Sequence, residues 1–205
     1  MYQENLELLR VARGETLRLC EGIGQEQSEL APAQGKWSVG EVLDHLLLTE
    51  NYYRGVFGQL VELAKSGSRA VVDSSFAEIN TSIAYIPKSV LSALEIPFTV
   101  FNRFLPSVVR ETIIGNRIIP AQSFDLAQPR KGKAIGELTA GLASSYEQTA
   151  SIFRDNPNAG YRAMRYRHPL MGDNNALQVL RIVSLHERRH QGQIKEILRK
   201  CSVRS

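Results

Sequence analysis

Residues 186–190 read HERRH, and two histidines four positions apart can hold a metal ion. On a helix, side chains four positions apart lie on the same face, one turn from each other. In zinc proteases this H-E-x-x-H pattern also supplies a glutamate that activates water. The pattern therefore leaves three alternatives: a protease, another metal-dependent protein, or a helix whose histidines hydrogen-bond to their neighbours.

The helix face that carries the two histidines is apolar. It is shared with Val179, Ile182, Val183, Ile194 and Ile197. An imidazole buried there without a partner would cost about 1–3 kcal/mol, and a bound metal would be a partner for both rings. His45 lies beside the apolar stripe of another predicted helix and is the candidate third ligand. Three imidazoles leave one position open, as in catalytic zinc sites, and they also suit nickel, iron and copper.

The protease alternative fails on the third ligand. Zinc proteases of this motif take it from downstream, commonly from a histidine about six positions after the second one. That position is Glu196 here, and no later residue matches the downstream glutamate that other such proteases use. The third ligand is therefore expected upstream of the motif.

Four stretches of helical periodicity predict an all-α protein, and no stretch of clean alternation predicts a sheet. The Ser38–Glu41 sequence SVGE is a capping box at the start of the second helix, and Asp173 or Asn174 is expected to cap the fourth. The predicted helices run from about Gln3 to Cys20, from Ser38 to Lys65, from Ile135 to Arg154, and from the cap to about Lys200.

Residues 66–133 between the second and third helices are rich in proline and are expected to form short helices and loops. Their apolar part, 85–109, is expected to pack over the helices, to line a pocket or to join a partner. It contains charged residues and prolines, so we do not expect it to span a membrane.

Composition favours a single domain over residues 1–205, with 43% apolar and 22% charged residues. The net charge of +4 is spread along the chain, which does not indicate a nucleic-acid partner. Two cysteines, Cys20 and Cys201, form no disulfide framework, and the first residues lack the pattern of a secretory signal. A cytoplasmic protein is expected.

Two stretches resemble the DinB-like superfamily, also called YfiT-like metal-dependent hydrolases. They are KWSVGEVLDHLLLTE at 36–50 and HPLMGDNNALQVLRIVSLHERRHQGQI at 168–194. The shared features are the tryptophan-serine start of the second helix, its single histidine, the histidine-proline segment and the H-x-x-x-H helix. The family is the DNA-damage-inducible one and not the polymerase of the same name.

The resemblance implies a four-helix bundle with up-down-down-up connectivity and a long, partly helical connection between helices two and three. It implies a divalent metal held by His45, His186 and His190, with zinc or nickel first and iron or manganese as alternatives. A homodimer is a further expectation. No motif of residues 66–133 matches the family.

Relatives in this family include S-transferases that use a low-molecular-weight thiol such as bacillithiol or mycothiol. The resemblance therefore implies an enzyme that acts on a small-molecule substrate, with a metal-activated thiol as the nucleophile. One alternative is a hydrolase that uses metal-bound hydroxide. Another is a non-catalytic metal-binding protein of the stress response.

Four further side chains are candidates for roles around the metal. Glu187 is a candidate catalytic base, and Gln193 could orient a ligand histidine or a bound water. His168 precedes a proline, and either a structural hydrogen bond or proton transfer would explain it. Arg189 is a candidate contact for an anionic group, with a solvated face as the alternative. Trp37 is expected to be a packing residue at the start of the second helix.

Overall fold

Helices make up most of the described part of the chain, which comprises residues 2–74, 127–168 and 171–202 of a computed structural model. The predicted all-α class fits broadly, and the four predicted helices are present with bounds close to those expected. The expectations for residues 85–109 lie outside the described residues. In chain order the elements are α1 (Tyr2–Leu19), α2 (Gln25–Glu29), α3 (Val39–Lys65), β1 (Val71–Asp73), α4 (Ile135–Asp155), β2 (Arg165–His168), β3 (Gly172–Asn175) and α5 (Ala176–Ser202).

A small three-stranded sheet corrects the expectation that no sheet forms. Its strand order is β1-β2-β3, with β1 parallel and β3 antiparallel to β2. The strands have only three or four residues, and β2 and β3 read RYRH and GDNN. Strands this short carry no alternation that sequence reasoning can detect.

The capping box predicted for the second helix is present at the start of α3. The Glu41 backbone N–H donates to Ser38 Oγ at 3.3 Å, and the Ser38 N–H donates to Glu41 Oε2 at 2.9 Å. These bonds satisfy two donors that the first turn of a helix would otherwise leave without partners. They define where α3, the helix that carries His45, begins.

The predicted cap of the last helix was wrong by one or two residues. Asp173 and Asn174 pair with β2 inside the sheet, and the cap falls on the next residue, Asn175. The Gln178 N–H donates to Asn175 Oδ1, and the Asn175 N–H donates to Gln178 Oε1, both at 2.9 Å. This reciprocal pair begins α5 directly after the strand.

The buried side chains form two apolar clusters with polar groups between them. One cluster combines the sheet with the start of α1, the end of α3, the end of α4 and the start of α5. The other combines the opposite ends of the same helices. Several buried polar side chains lie along the helices between the two clusters, among them Arg13, Glu50, Thr149, Glu187 and His190. No described helix is long and apolar enough to cross a bilayer.

Candidate metal centre

Three histidine rings meet where α3 and α5 face each other. His45 comes from the second turn of α3, and His186 and His190 come from consecutive turns of α5. The His186 Nε2 atom lies 3.2 Å from Nε2 of His45 and 3.1 Å from Nε2 of His190. Among the described residues, these three form the group whose possible ligand atoms all lie within 4.8 Å of one another.

Hydrogen bonds on the far side of two rings determine which nitrogen faces the site. His45 Nδ1 is 2.7 Å from the carbonyl oxygen of Ala127, which can only accept, so this nitrogen carries the proton. His190 Nδ1 is 2.9 Å from Gln193 Oε1, which accepts in the same way. The Nε2 atoms of these two rings therefore direct their lone pairs at the centre of the group.

Burial keeps two of the three rings neutral. It lowers the pKa of His45 to about 4, and the nearby charge of Arg189 lowers it further, against the opposing effects of the Ala127 carbonyl and Asp44. Burial also holds the pKa of His186 well below its ordinary value, helped by the other two histidines and Arg189. Near pH 7 both imidazoles are in the neutral form that binds metals.

The geometry of the group suits a divalent cation. Two ligand nitrogens at the usual zinc distance and a tetrahedral angle lie ~3.3 Å apart, close to the Nε2 spacings on either side of His186. A cation would also accept the lone pairs of the converging Nε2 atoms, which otherwise face each other in a partly buried site. Neutral imidazole suits zinc, nickel and iron alike, so the donor set fits the group of metals expected from the sequence.

Trp37 has a larger part in the site than the packing role expected for it. Its ring centroid lies 5.0 Å from that of His45 and 6.4 Å from that of His190, stacked on the latter. The indole therefore covers one side of two candidate ligands. Its position immediately before the cap Ser38 connects the start of α3 to the histidine group.

Glu187 lies in an ion pair and not in the histidine group. Its Oε1 accepts from Arg13 Nε at 2.8 Å, and its Oε2 accepts from Arg13 Nη2 at 3.0 Å. The Arg13 guanidinium also donates to Glu50 Oε2 and to the carbonyl of Leu142. Glu50 in turn accepts from the Thr149 hydroxyl at 2.8 Å. These contacts place the Glu187 carboxylate in a link between helices, and its candidate role as a catalytic base stays a prediction.

The other three side chains expected around the metal differ in how closely they approach the three histidines. Gln193 contacts His190 directly, as described above. Arg189 is half-buried, and its charge acts on two of the three rings. His168 is the last residue of β2 and is not a member of the group; its Nδ1 accepts from the Met171 N–H at 3.2 Å. A structural hydrogen bond, one of the two alternatives for His168, is therefore present.

Sequence reasoning missed two charged residues that support this region, Arg13 and Asp44. Arg13 follows Leu6 and Leu9 at helical spacing on the buried face of α1, so a charge on an apolar stripe was the signal. Asp44 is fully buried one residue before His45. A buried charge in a soluble protein requires a partner, which marks such positions for attention.

The fold and the histidine geometry together define a helical protein with a site able to hold a metal ion. The model of the DinB superfamily matches residues 8–194, and the chain belongs to this superfamily. No curated protein and no solved structure gives a significant match to the chain.

Proposed function

We propose that this protein binds a divalent metal, zinc or nickel in the first place, through His45, His186 and His190. We propose further that it catalyses S-transfer from a low-molecular-weight thiol to a small electrophilic substrate. The observation that carries the proposal is the composition of the group: three imidazoles, with no carboxylate or cysteine among its described members. When bound, such a metal supplies a position for an outside ligand and lowers the pKa of a thiol or water there.

The charges around the site favour an anionic ligand such as a thiolate. Neutral histidines leave the charge of a bound cation uncompensated, and Arg189 adds a positive charge close to two of them. A hydrogen-bonded ring orientation at His45 and His190 keeps the ligand nitrogens in place, and Trp37 covers one side of the group.

The chain's own cysteines are poor candidates for the nucleophile. Cys20 and Cys201 are buried in the apolar cluster at the end away from the sheet. Burial raises the pKa of the Cys20 thiol to about 11, so it is protonated at neutral pH. An outside thiol is therefore the proposed nucleophile. In the reaction a sulfur–carbon bond forms, the bond to the leaving group breaks, and the thiol proton passes to solvent.

Metal content after purification without a histidine tag tests the binding step. We expect near-stoichiometric metal in the wild type, and its loss in His45→Ala and in His190→Ala. His168→Asn is the matched control, because it changes the one histidine outside the group and should keep its metal. A wild type that binds neither zinc, nickel, iron nor manganese after reconstitution would contradict the proposal.

The reaction is tested with the metal-loaded protein, a panel of thiols that includes bacillithiol and mycothiol, and 1-chloro-2,4-dinitrobenzene as the electrophile. We expect chloride release and thiol loss in equal amounts, dependent on the metal and absent in His190→Ala. Turnover of esters or amides without thiol would favour the hydrolase alternative instead. Tight metal binding that raises the melting temperature, with no turnover in either assay, would favour the non-catalytic stress-response alternative.

The up-down-down-up order of the helices is also part of the proposal, within a single domain of residues 1–205. Contacts support it: Arg13 meets Glu187 and Thr16 meets Gln191, so positions rise together along α1 and α5. The pairs between α3 and α4 also advance in the same direction. Leu47 of α3 lies beside Gly141 of α4, and further along both helices Glu50 accepts from Thr149. Cytoplasmic location and a homodimer remain predictions, which fractionation and light scattering at several concentrations would test.

A further inference from the structure

The last residues of the long connection contact α3 beside the candidate metal centre. We call residues 127–133 the return segment. The carbonyl of its first residue, Ala127, accepts from His45 Nδ1 at 2.7 Å. Its later part binds Asp44, the residue before His45 on α3. The Arg130 N–H donates to Asp44 Oδ2 at 2.8 Å, and Lys133 Nζ donates to Asp44 Oδ1 at 2.7 Å.

The Asp44 carboxylate binds the return segment with both of its oxygens. Its side chain is fully buried, while Lys133 is partly exposed. A buried carboxylate is costly unless it is paired and hydrogen-bonded, so these two charge-assisted bonds strongly favour one position of the return segment. Asp44 and His45 are consecutive on the helix and point about 100° apart, so the segment is held along two directions at once.

We propose that Asp44 is a positioning residue of the metal centre, acting on His45 through the return segment. By fixing residues 130 and 133 it places the Ala127 carbonyl, and that carbonyl keeps the proton of His45 on Nδ1. Nε2 is then unprotonated and faces His186 and His190. This inference rests on the proposed function, because it concerns the readiness of His45 to bind a metal.

The link predicts two measurable consequences of weakening Asp44. Without the fixed carbonyl, the Nδ1–H tautomer of His45 is less favoured. A ring with its proton on Nε2 cannot bind a metal through that atom. Replacing a group that orients a ligand histidine typically lowers metal affinity by about 10- to 100-fold. Asp44→Asn keeps the size of the side chain but loses its charge and one accepting oxygen, so it is the variant of choice.

The test combines histidine tautomers and zinc affinity. In the metal-free protein at pH 7.5, long-range ¹H–¹⁵N spectra should show His45 as the Nδ1–H tautomer. In Asp44→Asn that population should fall, and zinc should bind about 10- to 100-fold more weakly in competition with a chromophoric chelator. Lys133→Met removes only one of the two bonds and should give a smaller change in the same direction. Ser145→Ala is the control, because it removes a polar contact between α3 and α4 (Arg54 Nη1 to Ser145 Oγ, 2.9 Å) away from the return segment.

The outcomes separate this inference from the proposed function. A folded Asp44→Asn protein with the wild-type tautomer and wild-type zinc affinity would overturn the role of Asp44. If Asp44→Asn does not fold, Lys133→Met decides: a shifted tautomer supports the role, and wild-type values overturn it. If the wild type binds none of zinc, nickel, iron and manganese, the proposed function fails, while the tautomer of His45 in the metal-free proteins still decides whether Asp44 positions the ring.

Discussion

At the three histidines, the nitrogen that faces away from the site matters as much as the one that faces it. Gln193 illustrates this, because its side-chain oxygen accepts from His190 Nδ1. The contact spans three residues of α5, less than one helical turn. An acceptor at that place holds the ring and makes its other nitrogen a better electron donor.

Changing Gln193 is expected to change metal affinity in two directions. Gln193→Leu removes the acceptor and should weaken zinc binding by about tenfold, whereas Gln193→Glu places a negative charge on the ring proton and should strengthen it. A chelator-competition titration measures both. Gln148→Leu serves as the control, since Gln148 is exposed on α4 and contacts Ser144. Equal zinc affinity in all four proteins would show that Gln193 does not act on His190.

The grouping of the three histidines could be predicted from the sequence because each clue is local. Two of them are one turn apart on an apolar helix face, and the third lies beside another apolar stripe. Arg13 and Asp44 could not be placed in this way. Their partners lie on other elements, such as Glu187 for Arg13 and Lys133 for Asp44, and no local spacing relates such pairs.

Between the helices, Arg13 is the common partner of a buried charged layer. Burial favours its neutral form, but the carboxylates of Glu187 and Glu50 outweigh that effect and raise the pKa of Arg13 above its ordinary value. The guanidinium thereby joins α1 to the two helices that carry the histidines. It also reaches α4 through the Leu142 carbonyl.

Removing this charge should destabilise the whole helical assembly. Arg13→Met leaves two buried carboxylates without their cation, and we expect a loss of about 3–5 kcal/mol in the free energy of unfolding. Urea unfolding followed by circular dichroism measures it. Arg10→Met on the same helix is the control: its ion pair with Glu7 is exposed, so a change within about 0.5 kcal/mol is expected.

Recovery of stability separates a buried-charge effect from lost packing. Adding Glu50→Met and Glu187→Met to Arg13→Met removes the uncompensated carboxylates, and part of the lost stability should return. A triple variant less stable than Arg13→Met alone would contradict this account of the layer.

Helix boundaries were predictable where capping chemistry was recognised. Ser38 and Glu41 form the box that their spacing predicts. The same logic applied to Asn175 and Gln178 would have placed the start of α5 correctly, but the polar run before it left several candidate caps. The sheet depends on pairing between β1 and β2, which lie far apart in sequence, and short strands give no local sign of that pairing.

For the molecule as a whole, His168 connects stability to pH. Burial lowers its pKa to about 3, whereas the unfolded chain has the ordinary value near 6.5. Between these values the unfolded state binds a proton that the folded state does not. The contribution of neutral His168 is therefore complete above pH 6.5 and is lost progressively as the pH falls toward 3.

The expected slope from His168 alone is about 1.4 kcal/mol per pH unit below pH 6. Urea unfolding of the metal-free wild type and of His168→Asn at pH 7.5, 6.5, 5.5 and 5.0 measures it. As the pH falls, the free energy of unfolding should decline more steeply in the wild type, by this slope. Asparagine offers an oxygen to the Met171 N–H, which preserves the hydrogen bond. Parallel curves for the two proteins would mean that the pKa of His168 is the same in the folded and the unfolded state, which would contradict the shift.

The division of the candidate ligands along the chain has a consequence for protein engineering. A cut anywhere between residues 75 and 126 would leave His45 on one fragment and His186 and His190 on the other. Strand β1 would likewise be separated from its partner β2. A metal that needs all three rings would then act as a chemical dimeriser of the two halves. Their reassociation would report the free metal concentration, as a split-protein sensor does.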